Sequence, residues 1–217
     1  KQKLQQNKTK MPPHVSQLLN SAINALKHPN PKYREAGANT LSKCVNAYRK
    51  DMSGETFTSF MTDLNKIIFD YVSSNVRHEK LGGILAIKTL IEASNSESEV
   101  QVIRFANCLR VVFQQQSQHA DAETLIPASE VLGHLAKAGG TLTVDFVQFE
   151  VTRALEWLQS DRNASRLLVA TLVLKELAEN APVLFYSHVG YVDYIYIYIN
   201  KSNNTSIIYY IYIYIHR

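Results

Sequence analysis

The chain has 217 residues, 46% hydrophobic and 19% charged, and its 23 basic and 19 acidic residues give a net charge of +4. The length suits one or two globular domains. The basic residues are dispersed, with no run able to track a phosphate backbone, which sets nucleic acid aside as a partner. No stretch reaches the ~18 consecutive apolar residues of a membrane-spanning helix, and two cysteines, Cys44 and Cys108, are too few for a disulfide framework. The composition therefore points to a cytoplasmic chain without membrane insertion.

Residues 1–10, "KQKLQQNKTK", lack the apolar run of a signal peptide and read as a disordered, non-native lead-in. From Pro13 onward, apolar residues recur at helical spacing. Val15, Leu18, Leu19, Ala22 and Leu26 form the first stripe, and Phe57, Phe60, Met61, Leu64, Ile67, Ile68 and Tyr71 form a later one. Between them Asn30 reads as a helix cap and Pro31 as the first helical residue, where a missing N–H does no harm. Polar breaks at Ser53, Ser73, Ser94, His119, Gly139, Ser160 and Asn180 each precede a fresh stripe. The spacing predicts about eight helices and the start of a ninth.

A self-match recurs along these helices. The pattern small-x-x-x-aliphatic-x-x-apolar occurs as Gly37, Leu41, Cys44; as Gly83, Ile87, Leu90; as Ala128, Leu132, Leu135; and as Ala170, Leu174, Leu177, at starts 46, 45 and 42 residues apart. Each copy falls on the second helix of a pair, opened by Asn30, Asn75, Asp121 or Asp161. Both period and composition fit HEAT or armadillo repeats of ~40 to 47 residues, in which stacking neighbours bury a continuous core. In the last pair, Val144, Val147, Val151, Leu155 and Leu158 share one face, widened by Phe146, Phe149 and Trp157. A helical bundle shares the pattern; the regular period favours a solenoid. The fold expected over residues 11–189 is all-α, a right-handed α-solenoid of about four HEAT-type antiparallel helix pairs. The pair Gly82 and Gly83 reads as close helix packing, because no P-loop Lys-Ser/Thr follows it and no strand precedes it.

Longer strings resemble the N-terminus of the target of rapamycin (TOR) kinase family. "IFDYVSSNVRHEKLGGILAIKTLI", "VIRFANCLRVVF" and "FVQFEVTRALEWLQSDRNASRLLVATLVLKELAENAPVLFY" carry the likeness, which runs from about Met11 to Val189 and is weakest before Tyr33 and from Ser94 to Glu99. The family's "KGGILAI" appears with Leu81 inserted, its "RFANYLR" with Cys108 at the Tyr position, and its "EVKRALEWLGADRN" as "EVTRALEWLQSDRN". The resemblance implies a piece of a very large serine/threonine protein kinase whose first half is a HEAT solenoid. It implies a scaffold that docks Raptor in one complex and Rictor and Sin1 in another, contributes to activation by the GTPase Rheb, and works in the cytoplasm, at the lysosomal surface and in the nucleus. Kinase Gly-rich, H-R-D and D-F-G motifs are missing from these residues, so no catalysis is expected of this chain and no cofactor; ATP and Mg belong to the parent's kinase domain. The alternatives are an independent HEAT-repeat adaptor in transport or complex assembly, and a small helical enzyme, for which no convergent set of titratable residues speaks.

The likeness stops near "APVLFYSHV", where the text turns to alternation: "YIYIYI" and "YYIYIYI". Alternating TA codons read as Tyr-Ile in every frame. Residues 190–217 are thus expected to be an irregular or β-prone low-complexity tail of translated non-coding sequence.

The seven histidines lack metal-ligand spacing, and Cys44 and Cys108 sit on or beside apolar stripes as small hydrophobes. A solenoid acts through its surface. Arg104, Asn107 and Arg110 lie at helical spacing on "RFANCLR", away from Ile103, Ala106 and Phe113, and compose the first candidate partner surface; Arg153, Arg162 and Arg166 compose a second. A solvated face is the bland reading of both, and core packing that of Trp157.

Overall fold

A computed structural model describes residues 13–93, 99–115, 121–160 and 163–186. Among these residues there are nine α-helices, one 3-10 turn and no strand: α1 (Pro13–Leu26), α2 (Pro31–Asp51), α3 (Gly54–Val72), α4 (Arg77–Ala93), α5 (Glu99–Gln115), α6 (Ala122–Gly139), the 3-10 turn (Gly140–Thr143), α7 (Val144–Ser160), α8 (Ala164–Asn180) and the short α9 (Pro182–Tyr186). The expectations for the lead-in, the Tyr/Ile tail, Asp161 and Arg162 lie outside the described residues.

The chain divides between Asn95 and Ser96 into two compact units. Both use one arrangement. In the first, α1 packs on α2, α3 on α4, and the two second helices, α2 and α4, on each other; in the second, α5 packs on α6, α7 on α8, and α6 on α8. Connections as short as residues 27–30 force consecutive helices antiparallel. This is the all-α, HEAT-type pairing that the repeat predicts. Its twelve repeat positions are all buried, with Leu41, Ile87, Ala128, Leu132, Leu135, Ala170 and Leu177 at 0% exposure. Removing each large aliphatic side chain from water stabilises the fold by about 1.5–3 kcal/mol.

Glycine sets the closest approaches. A Cβ on Gly37 would lie 2.8 Å from Ala25 Cβ on α1, and one on Gly83 2.8 Å from the Val72 backbone nitrogen on α3, each the partner helix within its own pair. Gly82 faces elsewhere: its Cβ would sit 1.9 Å from the carbonyl oxygen of Leu26, at the end of α1 in the neighbouring pair. Successive helical residues point about 100° apart, so two adjacent glycines let α4 touch two different backbones.

Local polar groups fix where the helices begin. The Asn30 side chain accepts from Lys32 N at 3.0 Å, and Pro31 opens α2 as expected. Arg34 then reaches back, its Nη1 donating to the carbonyls of His28 at 2.9 Å and Pro29 at 2.7 Å, so that this buried guanidinium ties the α1–α2 turn. Two caps differ from the sequence reading. Helix α4 starts at Arg77 and not directly after Asn75; the Ser74 hydroxyl accepts from Val76 N and donates to Glu79. Helix α8 is capped by Asn163, whose side chain stands one residue before the helix and accepts from Ser165 N at 2.8 Å. Gly140, at φ +52°, makes the turn between α6 and the 3-10 segment that a side chain would strain, and the Thr143 hydroxyl seals it by donating to the Gly140 and Ala136 carbonyls.

Some stripe residues lie at the flank and not in the core. Leu18 is 50% exposed, Val144 41% and Phe149 50%. A single packed partner covers only part of a wide apolar face, so its edge stays in water.

Candidate functional site

Helix α7 reads "VDFVQFEVTRALEWLQS", and its buried seam runs through Val147, Val151, Ala154 and Leu155. Glu150 stands in that seam at 0% exposure. A carboxylate held away from water demands partners, and it has two. Oε1 accepts from Nε of Arg110 on α5, and Oε2 accepts from Nη2 of Arg153 one turn further along α7. Arg110 also donates through Nη1 to Asn107 Oδ1 at 2.8 Å. One buried acid thereby joins the first helices of two neighbouring pairs.

Aromatic rings flank the two guanidiniums. The Arg110 guanidinium lies 4.2 Å from the Phe149 ring centre and 5.6 Å from that of Phe146. That of Arg153 lies 5.8 Å from Phe149 and 4.8 Å from Trp157, and that of Arg166 on α8 lies 5.8 Å from Trp157. Cations at these distances are attracted to the ring faces. The order Phe146, Arg110, Phe149, Arg153, Trp157, Arg166 is an alternating ladder of rings and charges across three helices. Arg153 is its most enclosed rung: Nε and Nη1 are buried without a hydrogen-bond partner. Burial holds its pKa below the ordinary arginine value; Glu150 opposes that shift and the charge of Arg110 adds to it.

Each proposed site residue can now be placed. Arg104 and Asn107 are exposed, as is Arg166. Arg110 keeps only 23% of its side chain in solvent and Arg153 only 11%, so neither is the freely solvated charge the spacing suggested. Ile103, expected with the buried residues, is 38% exposed; Val102, Phe105, Ala106, Leu109, Val112 and Phe113 carry the packing of α5. Arg110 of the first candidate surface and Arg153 of the second, read as separate, meet through Glu150. Sequence reasoning missed Glu150 itself. Its signal was a lone acid between Val147 and Val151, with a basic residue three positions on.

On the helices that carry the ladder and on the turn before α7, large apolar side chains remain in water: Ile103 on α5, Leu142 on the 3-10 turn, and Val144 and Phe149 on α7. Both cysteines are buried, and burial pushes the Cys44 thiol up and the Cys108 thiol up to about 12, far from a reactive thiolate. Among the described residues no group of His, Cys, Asp and Glu is arranged to hold a metal ion, and no helix is long and apolar enough to cross a membrane.

Among curated proteins, the chain is similar to serine/threonine-protein kinase tor1 of Schizosaccharomyces pombe, 40% identical over 165 residues that make up 76% of this chain and 7% of that protein. It is 44% identical over 161 residues to serine/threonine-protein kinase TOR of Oryza sativa subsp. japonica, covering 74% of this chain and 6% of that protein. With serine/threonine-protein kinase TOR2 of Saccharomyces cerevisiae the identity is 39% over 182 residues, 79% of this chain and 7% of the relative. The chain thus spans less than a tenth of the length of these relatives. No family model matches it.

Proposed function

Since this chain belongs with the TOR serine/threonine kinases as a short segment of their length, we propose that it is a scaffold segment that docks regulatory proteins and performs no chemistry itself. The partners proposed are those the family resemblance implies: Raptor, Rictor and Sin1 as subunits, and the GTPase Rheb as activator. Phosphoryl transfer, with ATP and Mg, is assigned to a kinase domain elsewhere in the parent protein, and the segment is placed in the cytoplasm with recruitment to the lysosomal surface.

One observation carries this reading: exposed Phe149 lies against Arg110, which the buried Glu150 holds in place. Aromatic and arginine side chains are the residue types enriched where protein interfaces concentrate their energy. The helix pairs supply a stiff frame, so little order is lost when a partner docks.

The test uses the intact kinase carrying Arg104→Glu together with Phe149→Ala. Charge reversal at Arg110 is unsuitable, because it would set a second carboxylate against buried Glu150. GTPase-stimulated phosphorylation and co-purification of the regulatory subunits are expected to fall, with basal activity and thermal melting unchanged. Full stimulation and full co-purification in that variant would overturn the reading.

A further inference from the structure

We propose that the surface around Phe149 and Arg110 selects a partner segment that presents one carboxylate next to an apolar side chain; this rests on the docking reading above. Charge sets the first requirement. Two guanidiniums, Arg110 and Arg153, share a single carboxylate, Glu150, which leaves one net positive charge at a largely dry site. An incoming monoanion balances that clamp, whereas a phosphate dianion would exceed its charge and draw on exposed cations such as Arg104.

Geometry sets the second requirement. Arg153 is enclosed, but Arg110 keeps 23% of its side chain in solvent and has N–H donors beyond those that Glu150 and Asn107 engage. Phe149, half in water, lies against the same guanidinium at 4.2 Å. A carboxylate on Arg110 therefore brings its neighbouring side chain onto the Phe149 ring. Asn107 and Ile103 continue this face one and two turns back along α5 from Arg110, and Arg104, next to Ile103 in the chain, adds an exposed positive charge.

The surroundings decide against nucleic acid. Asp145 stands exposed one turn before Phe149, and a phosphate backbone needs several neutralising cations in a row. A protein segment with one acidic and one apolar side chain needs only the one.

Trp157, the sole tryptophan, lies on the ladder beside Arg153 and serves as the fluorescence probe, with calorimetry as a second readout. The full 217-residue chain is titrated with synthetic helical peptides of one apolar sequence that differ at a single position, bearing Glu, Gln or phosphoserine, and with a single-stranded oligonucleotide. The Glu peptide is expected to bind ~10-fold or more tighter than the Gln peptide, the factor that a charge-assisted hydrogen bond supplies. Arg110→Met should erase that difference and leave apolar binding intact. Should this variant fail to fold, Phe149→Ala, at a half-exposed position, carries the test by weakening both peptides in parallel. Equal binding of the Glu and Gln peptides, or tighter binding of the phosphopeptide or the oligonucleotide, overturns the proposal. So does silence from the Glu peptide at millimolar concentration; if subunit docking by the intact kinase survives in that case, the docking reading stands and only the carboxylate selectivity falls.

Discussion

The two units share one helical grammar, and the second adds a side-chain clamp to the glycine contacts that both use. In the first, glycines bring backbone against backbone: Gly37 and Gly83 within their pairs, and Gly82 against Leu26 of the adjacent pair. In the second, Gly133 likewise sets α6 against α8, where its Cβ would lie 2.9 Å from the Glu176 carbonyl oxygen, but the first helices of neighbouring pairs are joined in addition by the Arg110–Glu150–Arg153 clamp and its rings. A junction made of backbone leaves little side chain for a partner. One made of arginine and aromatic side chains leaves a surface. That added clamp is why the docking site is proposed in the second unit.

The largest effect is expected where the clamp is broken. Glu150→Ala strands two arginines, one of them mostly buried, and should destabilise the second unit by about 3–5 kcal/mol. Urea unfolding followed by Trp157 fluorescence reads that unit alone, because no other tryptophan exists. Next comes Gly82→Ala. Its methyl would meet a carbonyl oxygen at 1.9 Å, so overpacking of roughly 1–3 kcal/mol outweighs a helix-propensity gain of about 1 kcal/mol. Gly54→Ala, where a Cβ meets nothing within 4 Å, should be neutral or stabilising. Circular dichroism melts of the two variants test the pair, and similar losses at both positions would show that backbone contact does not govern the first unit.

A smaller loss, about 1 kcal/mol, is expected from Asn30→Ala, which removes the α2 cap. Denaturant midpoints measure it. Smallest is the response to alkali. Burial raises the phenols of Tyr48 and Tyr71 to about 12, with Cys44 adding for Tyr48, and Glu79 and Asp70 for Tyr71. The folded chain therefore keeps these protons longer than the unfolded chain does. Stability from this source is fully present below about pH 10 and is lost as pH rises toward about 12. Tyr48 carries a buried hydroxyl without a hydrogen-bond partner, so Tyr48→Phe should leave neutral-pH stability unchanged or slightly raised and blunt the alkaline loss, as pH-dependent melts would show.

Helix existence and pairing were legible in the sequence because their causes are local: Asn30 before Pro31, a stripe at helical spacing, a small residue once per repeat. What escaped was not local. Glu150 finds Arg110 across 40 residues, and nothing within α7 announces that meeting. Phe146 and Phe149 look alike in the sequence, yet one is 8% exposed and the other 50%, since only contact with a neighbouring helix decides which edge of a stripe is covered. The Gly82–Gly83 pair was recognised as packing, but the two helices it touches depend on how the pairs stack. Arg104, Asn107 and Arg110, three residues apart in turn, read as one solvated face for the same reason: the ring and carboxylate partners of Arg110 lie on another helix.

The most direct test places a photoreactive phenylalanine analogue at position 149 of the intact kinase and identifies what it captures. The account predicts capture of a regulatory subunit or activating GTPase, abolished when Arg104→Glu is combined with it. Capture of nothing, or of the kinase's own chain alone, would contradict it.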